Sequence, residues 1–229
     1  MIRIGVLGPQ GKMGQWVQNL LRTEFSSKAV FTQTLSDADV VIDFSSPKAV
    51  IDFMRQDPLA VPMIKKIPAM VVGSTGWNDD QQSKLTTFAK KTRVLQSSNF
   101  SIGFYTFLQS LKTTAPGWIE KGYQIKIVET HHIHKKDSPS GSAVLIRNLL
   151  KPLLKSPGEI PIQSQRVGEI IGDHEVHFEG PGDRIIFKHT AKDRSIFARG
   201  AIEAALWLTT QPKTIEKILT LENFLSTRP

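Results

Sequence analysis

The sequence predicts an α/β protein with a parallel sheet covered by helices on both faces, followed by a second, α+β domain built on an open mixed sheet. Three observations carry that expectation. Up to residue 101, short apolar runs alternate with stretches of helical periodicity, the pattern of βα units in a parallel sheet. Four of those apolar runs end in Gly, Ser, Thr or Asn, which would line one edge of such a sheet. Beyond residue 101 the runs instead alternate apolar with polar residues, as half-buried strands do.

The elements follow in order. Residues 2–7 form a compact apolar strand, and Gly8-Pro9-Gln10-Gly11-Lys12-Met13-Gly14 succeeds it. Trp16, Val17, Leu20 and Leu21 then recur at helical spacing. Further strands are predicted over 29–33, over 39–44 before Ser45-Ser46-Pro47, and over 69–72 before Gly73-Ser74-Thr75-Gly76. Asn78 and Gln81 have the spacing of a capping box, which opens the next helix. A strand over 93–96 runs into Ser97-Ser98-Asn99. A helix over 102–114 is expected to stop at Pro116-Gly117, and Tyr123, Ile125 and Ile127 mark a half-buried strand after it. Then come a helix over 142–154 and strands over 164–171, 174–179 and 184–190, the last two joined by Gly180-Pro181-Gly182-Asp183. An Ala-rich helix over 193–208 and a helix over 215–224 complete the pattern.

Composition narrows the function classes. With 40% hydrophobic and 22% charged residues among 229, the chain has ordinary folded-protein usage, which excludes a disordered or fibrous class. The net charge of +8 favours anions, but Lys and Arg are scattered rather than gathered in a stripe. The expected partner is therefore a small polyanion such as a dinucleotide or a dicarboxylate, not nucleic acid. Without cysteine there are no disulfides, thiolate metal sites or cysteine nucleophiles. No apolar run approaches the roughly 20 residues of a membrane span, and the first residues lack the basic lead of a signal peptide. A cytoplasmic protein without a membrane partner is expected.

Two stretches carry chemistry. Gly8-x-x-Gly11-x-x-Gly14, between a strand and a helix, places backbone amides and a helix N-terminus where a pyrophosphate could bind. The second strand ends at Gln33-Thr34, without the acidic residue that holds a ribose diol in NAD-type sites; Asp37 is a loop residue. All six histidines lie between His131 and His189, and three stand in His131-His132-Ile133-His134, just before Lys135-Lys136. Histidine titrates near neutrality, so a cluster facing a cleft can exchange protons during turnover. A solvated loop and His-x-His metal chelation are the competing readings, and no nearby carboxylate pattern supports a catalytic metal. Just downstream, Ser140-Gly141-Ser142 at a helix start is a carboxylate cradle. Proton carriers, cations and an anion cradle within a dozen residues point to an acidic substrate.

Residues 129–143, Glu129-Thr130-His131-His132-Ile133-His134-Lys135-Lys136-Asp137-Ser138-Pro139-Ser140-Gly141-Ser142-Ala143, closely resemble the signature of the 4-hydroxy-tetrahydrodipicolinate reductase family, long called dihydrodipicolinate reductases. The likeness extends to Lys12-Met13-Gly14, Asp43-Phe44-Ser45-Ser46-Pro47, Gly73-Ser74-Thr75-Gly76, Asn99-Phe100-Ser101-Ile102-Gly103, Gly172-Asp173-His174-Glu175-Val176 and Ala204-Ala205-Leu206-Trp207. It implies an N-terminal Rossmann-type domain over 1–101, to which 197–229 return, and a substrate-binding and oligomerisation domain over 102–196 that builds a homotetramer. It implies reduction of 4-hydroxy-tetrahydrodipicolinate to tetrahydrodipicolinate, using NADPH or NADH, in lysine and diaminopimelate synthesis.

By matching positions, His131 is implied as general acid/base and Lys135 as proton donor, with His132, Lys136, Ser140, Gly141 and Ser142 touching a dicarboxylate substrate. Cofactor contacts are implied at Gly8, Gln10, Gly11, Lys12, Met13, Gly14, Phe44, Gly73, Ser74, Thr75, Ser97, Ser98, Asn99 and Phe100, with no metal. The chain departs from the family pattern in Lys126 for Glu, Ser142 for Thr, and Ser97-Ser98 for Ala-Pro. Two other classes fit parts of the sequence. A non-catalytic dinucleotide sensor would not need His131 and Lys135, and an amino-acid or sugar dehydrogenase would not need the Ser140-Gly141-Ser142 cradle.

Overall fold

The computed structural model describes residues 1–55, 68–154, 158–213, 215 and 217–227. In chain order, β1 (Ile2–Leu7), α1 (Lys12–Thr23), β2 (Ala29–Phe31), β3 (Val40–Asp43), α2 (Pro47–Arg55), β4 (Ala69–Val72), α3 (Asp79–Ala89) and β5 (Val94–Gln96) form the first half. They are followed by α4 (Ile102–Glu120), β6 (Gln124–His131), α5 (Gly141–Leu150), β7 (Ile162–Arg166), β8 (Gly172–Glu179) and β9 (Arg184–Ala191). The last elements are α6 (Ser195–Thr210), β10 (Ile218–Leu219) and α7 (Leu221–Leu225). The chain forms two compact units, Met1–Phe100 with Ser195–Pro229, and Ser101–Arg194.

In the first unit the sheet order is β10-β5-β4-β3-β1-β2, and every pair is parallel. All four residues of β3 and of β4 are buried, as strands covered on both faces must be. The order reverses at β1, whose neighbours are β2 on one side and β3 on the other. In such sheets a ligand crevice opens beyond the carboxyl ends of the strands at that reversal. A Cβ on Gly200 of α6 would lie 1.9 Å from the Phe100 carbonyl oxygen, so only glycine permits α6 to pass there.

In the second unit the order is β7-β6-β8-β9, with β6–β7 parallel and the other pairs antiparallel. Its core joins Phe104, Leu111, Ala115 and Ile119 of α4 and Ala143, Ile146 and Leu150 of α5 to Ile125, Ile127, Val176 and Phe178 of the sheet. Residues i and i+2 of a strand share a face, so Glu129 and His131 continue the buried row begun by Ile125 and Ile127.

Several boundaries differ from the sequence reading. α4 runs past Pro116 to Glu120, because Leu111, Ala115 and Ile119 extend its buried stripe. The carbonyl that Pro116 leaves without a donor belongs to Lys112 on the exposed side, where water can take it. α5 ends at Leu150 and tightens into a 3₁₀ turn at Pro152, which has no N–H to continue the helix. β7 stops at Arg166 rather than 171, before Gly168 at φ +49°. The helix expected over 215–224 is instead β10, paired in parallel with β5, followed by α7 behind a Thr220–Asn223 capping box. Among the described residues, no helix is long and apolar enough to cross a membrane.

Candidate active site

The carboxyl edge of the first sheet gathers the loops after β1, β3, β4 and β5. The glycine loop between β1 and α1 is built for close approach. Gly8 sits at φ +78°, and a Cβ on Gly14 would lie 2.4 Å from the Gly8 carbonyl oxygen. Gln18 Nε2 donates to Pro9 O at 2.8 Å and Gln15 Nε2 to Gln10 O at 3.1 Å, which fixes the loop from the helix side. No side chain caps α1 at Gly11 and no acidic residue occupies its first turn. Its first amides and positive dipole end are therefore open to an anion, and the loop fits a dinucleotide pyrophosphate.

Asp43 ties the next two loops together. Its buried carboxylate accepts from the amide and hydroxyl of Ser45 and, at 3.3 Å, from the Ser74 amide. Burial pushes its carboxyl above the ordinary range, and the bonds from Ser45 and Ser74 oppose that. Gly73 lies under the Phe44 ring, where a Cβ would come within 2.5 Å, and Phe44 meets Phe100 edge to face at 5.8 Å. Ser97 Oγ accepts from the Asn99 amide at 3.2 Å and donates to its carbonyl at 2.6 Å, closing the turn after β5.

The second unit holds His131 and Lys135. Glu129 is fully buried, and its carboxylate bonds His131 Nδ1, Arg166 Nη1 at 3.0 Å and the Ser140 amide at 3.3 Å. Burial alone would raise its pKa. The bonds from His131, Ser164 and Arg166 together outweigh burial and lower it from 4.5 to about 2. A carboxylate ionised to that extent only accepts hydrogen bonds, so the hydrogen on this side of the ring resides on His131 Nδ1. In the neutral ring Nε2, beside Gly172, is then the nitrogen without a hydrogen. His174, paired with Glu129 across β6–β8, packs edge to face on His131 with ring centroids 5.1 Å apart. Burial, reinforced by the charges of His131 and His189, pushes His174 from 6.5 down to about 3 and keeps it neutral.

The loop after β6 is held from below. Arg166 Nη2 donates to Asp137 O at 2.6 Å and Nε to Lys135 O at 3.4 Å. The Lys135 ammonium stands 2.9 Å from the Asp137 carboxylate. His132 carries a buried Nδ1 without a hydrogen-bond partner, and its pKa is lowered, first by burial and then by Arg194. Lys136 is exposed. Ser140 is buried, with its amide on Glu129 and its hydroxyl accepting from the Ala143 amide at 3.2 Å as cap of α5. Gly141 and Ser142 supply the first amides of α5, which have no acceptor within the helix. Among the described residues, no group of three His, Asp or Glu could hold a metal ion.

The sequence reading assigned no role to Asp43, Glu129, Arg166 or His174. Asp43 was signalled by a carboxylate ending an otherwise apolar strand. Arg166 had no local signal, since the register that sets it beside His131 joins residues far apart in sequence.

A glycine-loop Rossmann sheet and a buried His–Glu pair beside a lysine define a nicotinamide-dependent oxidoreductase. The family models for the N-terminus and the C-terminus of dihydrodipicolinate reductase match residues 22–100 and 103–225. A 4-hydroxy-tetrahydrodipicolinate reductase from Thermosipho africanus is 35% identical over 90% of this chain and 91% of its own. One from Campylobacter curvus is 32% identical over 95% and 98%. The chain belongs to the dihydrodipicolinate reductase family. The fold is also that of the dipicolinate-bound dihydrodipicolinate reductase from Paenisporosarcina sp. TG-14, at a TM-score of 0.66, 22% identity and coverage of 97% and 99%. An amine dehydrogenase from Mycobacterium smegmatis shares the architecture at a TM-score of 0.54 and 10% identity, over 96% of this chain and 95% of its own. Fold alone therefore does not choose the substrate.

Proposed function

We infer that this chain reduces 4-hydroxy-tetrahydrodipicolinate to tetrahydrodipicolinate with NADPH or NADH, a step in lysine and diaminopimelate synthesis. The observation that carries the reading is His131: its Nδ1–H is fixed on buried Glu129, its Nε2 is left for proton exchange, and Lys135 stands four residues on. The first unit binds the cofactor, through Gly8, Gln10, Gly11, Lys12, Met13 and Gly14 at the pyrophosphate. Phe44, Gly73, Ser74, Thr75, Ser97, Ser98, Asn99 and Phe100 line its remaining length. The second unit binds the substrate, whose two carboxylates meet His132, Lys136 and the Ser140-Gly141-Ser142 turn.

The bound nicotinamide supplies a hydride, which carries both electrons of the reduction. His131 Nε2 takes a ring proton and returns it to the departing hydroxyl, so loss of water leaves the protein unchanged. Lys135 gives a proton to the ring carbon next to the one that gains the hydride, and recovers it from solvent. A proton donor placed in this way contributes about 10²–10⁴-fold to rate. We also propose that the protein is a cytoplasmic homotetramer, associating through the uncovered face of the four-stranded sheet.

The reading is tested by adding NADPH and freshly generated substrate to the purified protein. Loss of the reduced-nicotinamide absorbance, with tetrahydrodipicolinate as product, is expected. Turnover of an amino acid instead, with none of the cyclic substrate, would replace this reading with an amino-acid dehydrogenase.

A further inference from the structure

We infer that Arg166 is a positioning residue that couples the general acid/base to the proton donor: one guanidinium holds Glu129 against His131 and fixes the loop carrying Lys135. The inference rests on the roles proposed above for His131 and Lys135. Arg166 ends β7, in register with His131 at the end of β6. From that place its fork divides. Nη1 reaches Glu129 Oε1 at 3.0 Å and the Gln165 carbonyl at 2.7 Å. Nη2 and Nε reach the carbonyls of Asp137 and Lys135 at 2.6 and 3.4 Å.

A planar guanidinium presents five donors in fixed directions, whereas a lysine ammonium at the same site is a single point charge. Only arginine can therefore bind the carboxylate and both loop carbonyls at once. The carbonyls it holds belong to Lys135 itself and to Asp137, whose carboxylate pairs with the Lys135 ammonium. The side chain is only 20% exposed, so water competes weakly for these bonds.

The pH dependence follows from the groups around Glu129. It faces His131 from its own strand, Arg166 and Ser164 from β7, His174 from β8 and Ser140 from α5, while Lys135 and Asp137 stand on the adjoining loop. Among the described residues, Arg166 is the one Lys or Arg that pairs with its carboxylate. Removing that cation raises the pKa of Glu129. Protonated Glu129 no longer selects the Nδ1–H form of His131.

The experiment compares wild type with Arg166→Lys and Arg166→Gln by steady-state kinetics across pH, and by nitrogen-resolved NMR of the His131 ring without ligands. Arg166→Gln is expected to lower kcat about 10–100-fold, the cost typical of losing a group that orients a catalytic ligand. Its acid limb should move to higher pH, and its His131 should lose the single Nδ1–H tautomer. Arg166→Lys should restore the acid limb and the tautomer, because the charge returns, but not kcat, because the fork does not. Wild-type ring signals from His177, which lies in the same unit as Arg166, show that both variants are folded. Wild-type kcat and acid limb in both would overturn the inference. If wild type itself does not turn over the cyclic substrate, the proposed function fails. The ring spectra still decide the role of Arg166, and an unaltered tautomer in Arg166→Gln overturns it.

Discussion

His131 takes its orientation from Glu129, two residues earlier on the same strand, through a hydrogen bond from Nδ1 to a fully buried carboxylate. Strand geometry makes the pair possible, since residues i and i+2 point to the same face. The face they share is the buried one, so both would be destabilising there without partners. Arg166, Ser164 and the Ser140 amide complete the set around Glu129. The ring therefore presents one nitrogen, in one orientation, to whatever binds above it.

Acid should weaken the fold through two buried groups. Glu129 titrates near 2 in the fold against an ordinary 4.5, so its contribution is complete above 4.5 and is lost as pH falls toward 2. His174 is held neutral down to about 3 against an ordinary 6.5, so protons bind the unfolded chain first and stability also falls across that window. Glu129→Gln should cost about 3 kcal/mol at neutral pH by stranding Arg166, and lower kcat about 100-fold. It should also flatten the stability curve between pH 4.5 and 2, and His174→Gln should flatten it between 6.5 and 3. Urea unfolding at a series of pH values checks this; slopes identical to wild type would contradict it.

Lys135→Ala should lower kcat by about 100-fold or more with NADPH affinity nearly unchanged, because a proton donor acts in the transition state. Lys136, exposed on the same loop, should act through KM for the substrate. Normal kcat with weakened substrate binding in Lys135→Ala would pass the proton-donor role to His131 or to a bound water.

NADPH should serve at least as well as NADH. β2 ends at Phe31 and is followed by Thr32, Gln33 and Thr34, so no carboxylate stands there to repel a 2′-phosphate. Lys12, exposed at the start of α1, is close in sequence to the pyrophosphate loop and can attract it. A large kcat/KM preference for NADH would contradict this and assign the ribose to Asp37.

Gly14→Ala should raise KM for the cofactor more than it lowers kcat. The new methyl would lie 2.4 Å from the Gly8 carbonyl oxygen and 2.9 Å from Pro9 Cα, both backbone atoms of the loop. Relief requires the loop to move, at a stability cost of about 1–3 kcal/mol. Unaltered cofactor binding by calorimetry would show that the loop does not hold the pyrophosphate.

Much of this was legible in the sequence where local signals coincide. β1, the glycine loop and α1 were readable because an apolar run, three glycines and a helical stripe abut. The capping box at Asn78 formed as its spacing required. Pro116 misled because the buried stripe of α4 outweighs one missing donor on its exposed side. β10 was missed because a two-residue strand has no periodicity; its pairing with β5 defines it. Arg166 arises from strand register, which joins residues far apart in sequence and which no window of sequence contains.

The most direct test follows the hydrogen atoms through one turnover. The substrate is mixed in ordinary water with NADPH that carries deuterium at the transferable position of the nicotinamide. The account predicts tetrahydrodipicolinate with one deuterium, taken from the cofactor, on the ring carbon that gains the hydride. Product without cofactor deuterium, or substrate left unchanged while NADPH persists, would contradict it.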